Sequence, residues 1–193
     1  MKRLTMLLII IFQTNLFADS SMVIKTAEHY YKNGEYYNAI TESMRYQHLF
    51  PAGEYYPASM ILMGKSYFRG GNTEKALGVL TDCYNRFTKE PQGQEGLYYS
   101  GIVRILSGSY FFGARTFQEY NFVYKGGIFY EESVFNLCRA YALAENYDEA
   151  ARLISEYRKI FTGGKFSGEA DRLTEIISED RSRDKKSPLI AGI

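Results

Sequence analysis

Apolar residues along the chain recur at helical spacing in short blocks that glycine interrupts. Met60, Met63, Gly64 and Tyr67 follow steps of three, one and three, which sets them on one stripe of a helix. Gly70-Gly71-Asn72 then breaks the stripe. Glycine supplies the positive φ of a helix C-terminus, and Asn72 or Thr73 can cap the next helix. Ala76, Val79, Leu80, Cys83 and Phe87 form the stripe of that second helix. Pro51 and Pro91 fall between such pairs, where no helix need continue. The pattern predicts helical hairpins and no strands.

The hairpins repeat. "GEYYNAI" begins at Gly34, "GNTEKAL" at Gly71, "GSYFFGA" at Gly108 and "ENYDEAA" at Glu145, a step of 37 residues each time. Five places on stand Ala39, Ala76, Gly113 and Ala150, all small. Seven places before stand Ala27, Gly64, Gly101 and Cys138, and after these come Tyr30, Tyr67, Arg104 and Tyr141. Tyr46, Cys83, Tyr120 and Tyr157 form a further column. Several columns sharing one period mark a repeat array, in which each hairpin buries its apolar face on its neighbours.

These columns resemble the tetratricopeptide repeat (TPR) over about residues 20–165, with "VFNLCRAYALAENYDEAARLI" and the second repeat matching best. The third departs, with Arg104 in the tyrosine column and Gly113 in the alanine column. The resemblance implies an all-α fold, a TPR-like right-handed solenoid of four helical hairpins. The period of 37 and the joint "LFPAGEYYPASMILMGKSYF" also resemble periplasmic repeat proteins of the outer-membrane assembly and Tol-Pal accessory type.

The flanks differ from the array. "MKRLTMLLIIIFQTNLFA" carries Lys2 and Arg3, an apolar run and Ala18, the three parts of a secretory signal peptide. Its apolar run of about nine residues is short of the roughly twenty that span a bilayer. Cleavage is expected after Ala18, and no cysteine follows the run to carry a lipid anchor. The expected organisation is a signal peptide over 1–18, four repeats over 19–165, a polar-faced capping helix over 166–185 and an apolar tail over 186–193. The tail "KSPLIAGI" reads either as frayed or as the lead into a membrane-associated region.

Composition narrows function. Net charge is +1, from 23 basic and 22 acidic residues. No global field points to nucleic acid. The chain holds 18 Tyr and 13 Phe with no Trp. Aromatics at that density fill a core or line a binding surface. Gly64-Lys65-Ser66 superficially suggests a phosphate loop. Such a loop needs glycine five positions before its Gly-Lys and a preceding strand, whereas position 59 is Ser and the segment reads as helix. His29 and His48 fall in different helices without partners at ligand spacing, and Glu131-Glu132 and Asp148-Glu149 read as first-turn residues. Cys83 and Cys138 sit in core columns two repeats apart and are expected to be free. No enzyme, metal or cofactor is implied.

The expected function is a non-catalytic, exported, periplasmic scaffold that binds a protein or peptide, in cell-envelope assembly and with outer-membrane association. A membrane-tethered structural component is the alternative. No small-molecule substrate is expected. The TPR resemblance places a concave groove on the first helices, and carries it here onto Tyr31, Lys65, Phe68, Arg69, Tyr98, Ile102, Phe135 and Arg139. Glu28, Lys32, Ile61 and Ile105 belong to the same positions. Phe68, Tyr98 and Arg69 would hold an apolar segment with some acidic residues. The other reading of these aromatics is packing between neighbouring first helices.

Overall fold

Four residues spaced 37 apart take positive φ in the computed structural model: Gly34 (79°), Gly71 (84°), Gly108 (80°) and Glu145 (58°). Each ends a first helix, so the glycine column marks the hairpin turn. The structure describes residues 20–186; the expected leader and the apolar tail lie outside them. The helices in chain order are α1 (20–32), α2 (Tyr36–Leu49), α3 (Tyr56–Arg69), α4 (Thr73–Arg86), α5 (Pro91–Leu106), α6 (Tyr110–Val123), α7 (Tyr130–Leu143), α8 (Tyr147–Ile160) and α9 (Ser167–Lys186). The fold is all-α, built of TPR-like hairpins, with no strand among the described residues.

Local chemistry fixes the ends. Asn72 caps α4 by accepting the Lys75 N–H at 3.0 Å, and Asn146 caps α8 by accepting that of Glu149 at 3.4 Å. Acidic residues occupy the first turns of α7 (Glu131, Glu132) and α8 (Asp148, Glu149), where the helix dipole favours them.

The chain divides into two compact units, one through Gly96 and one from Leu97. In the first, α3 packs on both α2 and α4. Gly64 lets α3 approach α4: a Cβ there would lie 2.6 Å from Leu80 Cγ. Its column partner Ala27 is fully buried. Gly96 lets α5 approach the α4 backbone, since a Cβ would come within 2.7 Å of the Leu80 carbonyl oxygen.

In the second unit, α7 packs on α6 and α8, and α9 on α7 and α8. Gly101 repeats the role of Gly64 against a larger side chain, with a Cβ position 2.6 Å from Phe117 Cζ. Helix α9 follows α7 by the same 37-residue step, from Tyr130 to Ser167. Ser59, Gly96, Ser133 and Ala170 form a further column of small buried residues, one that extends the period into α9.

Candidate functional site

Each unit has a cleft beside its first helices. In the N-terminal unit it measures about 300 Å³, floored by Ile24, Ile61 and Leu62 and rimmed by Glu28, Tyr31, Lys32, Lys65 and Glu95. The floor is buried. The rim mixes signs, with Lys65 Nζ 3.8 Å from Glu95 Oε2 and both side chains only part exposed. Tyr31 stands on this rim with its ring 5.8 Å from that of Tyr36.

In the C-terminal unit a second cleft of about 300 Å³ lies between α7 and α9, lined by Phe135, Arg139, Phe166, Glu169, Arg172 and Ile176. Phe135 and Phe166 stack with centroids 4.8 Å apart and planes at 4°, forming its floor. A hydrogen-bonded chain sets the cation: Arg139 donates to Asn136 Oδ1 at 2.8 Å, and the Asn136 amide donates to the Tyr98 hydroxyl at 3.3 Å. Burial pushes the Tyr98 phenol up to about 12, with the Glu132 charge adding to it, so it stays neutral.

The structure therefore brings Tyr31 and Lys65 together in one cleft, with Glu28, Lys32 and Ile61, and Phe135 and Arg139 in the other. Phe68 and Arg69 lie outside the first cleft; the Arg69 Nε donates to the Tyr36 hydroxyl at 3.3 Å. Tyr98 stacks on Phe129 at 4.4 Å, and with Ile102 it packs against the core of its unit. Ile61, Ile105 and Phe135 are buried. Ile105 packs against α6, with its Cγ1 2.8 Å from the position a Cβ would take at Gly113, and Phe135 stacks on Phe166.

Residues the sequence reading left out complete both clefts. Gln92 and Glu95 come from α5, and Glu169, Arg172 and Ile176 from α9. Their signal was the period itself: Arg172 and Ile176 stand 37 residues after Phe135 and Arg139, and Glu95, Glu132 and Glu169 form one acidic column.

His29 is exposed, with its Nε2 3.0 Å from the Asn33 amide. Among the described residues there is no cluster of His, Cys, Asp or Glu able to hold a metal, and no helix long and apolar enough to cross a membrane. Cys83 and Cys138 are free and buried.

No protein-family model and no curated protein sequence matches the chain. Solved structures do. The putative kinesin light chain of Podosopora anserina, with nearly identical TPR-like repeats, aligns at TM-score 0.69 and 12% identity over 91% of this chain and 92% of that one. A variant of that same protein aligns at TM-score 0.63 and 13% identity over 88% and 98%. The apo form of RapI aligns at TM-score 0.63 and 16% identity over 75% of this chain; the match spans 56% of RapI. The fold is TPR-like. At these identities the likeness is one of fold.

Proposed function

We propose that this chain is a non-catalytic TPR-like scaffold that binds a protein segment on its first-helix side. The observation that carries this reading is the pair of clefts. The same repeat positions, in separate units, build an apolar floor with a mixed-charge rim in the same size class. Apolar floors anchor side chains, and paired rim charges orient polar groups of an extended or helical segment. Each cleft would take an apolar segment carrying acidic residues, which would meet Lys32 and Lys65 in the first unit and Arg139 and Arg172 in the second.

The signal-peptide pattern at the N-terminus supports a periplasmic place for this scaffold, and the period of 37 supports a role in envelope assembly. The tethered alternative rests on the leader and tail, outside the described residues.

Site-specific photocrosslinking in the expressing cell tests the binding reading. A photoreactive residue replacing Tyr31 should trap a defined protein species. The same group replacing Glu74, on the outer side of α4, should not. Equal trapping from both positions, or none from Tyr31, would sink the reading.

A further inference from the structure

The second helices of the repeats turn their outer faces to solvent, and one of them is unlike two of the others. In α4 and α8 the outer positions carry Glu74, Lys75, Asn85 and Arg86, and Asp148, Glu149, Lys159 and Ile160. In α6 the same four positions are Phe111, Phe112, Phe122 and Val123. All four are exposed, at 68%, 59%, 88% and 41%. The buried side of α6 is already filled by Ala114, Thr116, Phe117 and Tyr120, so these aromatics are surplus to the core. With Arg115 and Glu119 they occupy an arc of about 120° on one face of the helix.

That face reads the same in both directions. Taken outward from the middle of the helix, Arg115 mirrors Glu119, Phe111 mirrors Phe122, and Phe112 mirrors Val123. A two-fold interface requires this arrangement, because residue i must meet residue j while j meets i. Laid antiparallel on a copy of itself, α6 sets Phe111 against Phe122 and Phe112 against Val123, pairs that share a flank of the face and lie at matching heights. Arg115 of each copy then meets Glu119 of the other. The charges at the centre are opposite in sign and the ends are apolar.

We propose that the outer face of α6 is a self-association surface, on which a second copy of this chain docks with its α6 antiparallel. The exposed apolar side chains amount to on the order of 500 Å² per copy. That falls below the roughly 800 Å² per partner of a standard interface, so the dimer is weak and reversible. It is independent of the clefts on the first-helix side.

Sedimentation equilibrium of the full chain tests this, with circular dichroism confirming equal helix content in every variant. The wild type should show a reversible monomer–dimer equilibrium. Phe122→Glu should abolish it. Arg115→Glu and Glu119→Arg should each raise the dissociation constant about tenfold, since each sets like charges face to face. The double variant R115E/E119R restores opposite pairs and should return to within a few fold of wild type. The proposal fails if the chain stays monomeric at all concentrations, if F122E associates like wild type, or if the double variant is no tighter than the single ones. It also fails if the wild type is monomeric yet binds neutral phosphatidylcholine vesicles in a way that F122E loses, since the face would then be a lipid surface.

Discussion

The phenolic oxygen of Tyr46 accepts the backbone N–H of Tyr55 at 3.0 Å. The same bond recurs from Tyr120 to Phe129 and from Tyr157 to Phe166, each at 3.0 Å and each across nine residues. All three rings are fully buried, so each ties the end of a second helix to the start of the next first helix. The second repeat inverts the device. Cys83 stands in the column, and its thiol donates to the Gln92 carbonyl at 3.5 Å. Where the tyrosine is present, glycine stands seven places on. A Cβ at Gly53 would lie 2.5 Å from the Tyr46 hydroxyl, and one at Gly164 would lie 2.7 Å from that of Tyr157. With the shorter cysteine, the position is Glu90.

Removing one hydroxyl should therefore be costly. Tyr120→Phe keeps the ring and leaves the Phe129 N–H without its acceptor, which costs about 1–2 kcal/mol for a part-buried donor. Tyr157→Phe should also destabilise, since it removes in addition the bond that hydroxyl donates to Glu131 Oε1 at 2.8 Å. Urea denaturation of both variants measures the two losses; equal stability to wild type would show that the bond does not hold the joint.

The contact between Gly64 and Leu80 leaves no room for a side chain. Gly64→Leu should destabilise by about 1–3 kcal/mol or more, the usual range for overpacking. The clash is with a leucine side chain rather than backbone, so adding Leu80→Ala should recover part of the loss. The thermal midpoints of the two variants and their combination decide this, through the non-additivity that neighbours show. Strict additivity would mean that the two residues do not meet.

How much of this was legible follows from which contacts are local. The glycine column needs one backbone conformation, so a period of 37 was enough to find Gly34, Gly71 and Gly108. The small residues at Gly64 and Gly101 could be read as crossings, although their partners Leu80 and Phe117 could not be named. The tyrosine column was visible as a repeat of aromatics, but not its hydrogen bond, because a hydroxyl meeting a backbone N–H nine residues on leaves no mark in hydrophobic spacing. The groove was the least legible. Position within a repeat fixes the helix face a residue occupies, whereas the depth of Ile105 and Phe135 depends on the helices packed over them. Arg172 and Ile176 fall in a segment that the sequence reads as a polar-faced capping helix, although it keeps the period.

Glu145 is the exception in the glycine column, at φ 58°. The left-handed region costs a residue with a Cβ about 1–2 kcal/mol. Glycine relieves that strain but loses more entropy on folding. The balance predicts that Glu145→Gly stabilises by about 0.5–1 kcal/mol. A rise of a few degrees in the thermal midpoint is the expected reading, and a fall would mean the Glu145 side chain makes a contact worth more than the strain.

The two thiols should make stability fall on the alkaline side. Cys83 and Cys138 are buried and free. Burial pushes both from the ordinary 9.0 up to about 12, and at Cys83 the neighbouring Glu95 and Asp82 charges push the same way. The unfolded chain then ionises its thiols from about pH 9 while the folded chain keeps its protons. Between those values the folded state binds more protons, so the contribution is complete below pH 9 and is lost as pH rises toward 12. Each thiol contributes a slope of at most roughly 1.4 kcal/mol per pH unit. Part-buried Tyr98 and buried Tyr157, also pushed up to about 12, add to the loss above the ordinary phenol value of 10.0. The phenols also begin to ionise below about pH 10 in the unfolded chain, so comparison with a cysteine-free variant between about pH 9 and 10 separates the thiol share. The urea midpoint of the wild type should drop across that interval, and that of the double variant Cys83→Ala/Cys138→Ala should be flatter. Alkylation provides the second readout: no label on the native protein at neutral pH, and two on the denatured, unreduced chain. Labelling of the native protein, or equal slopes in the two chains, would show that these thiols are reached by water.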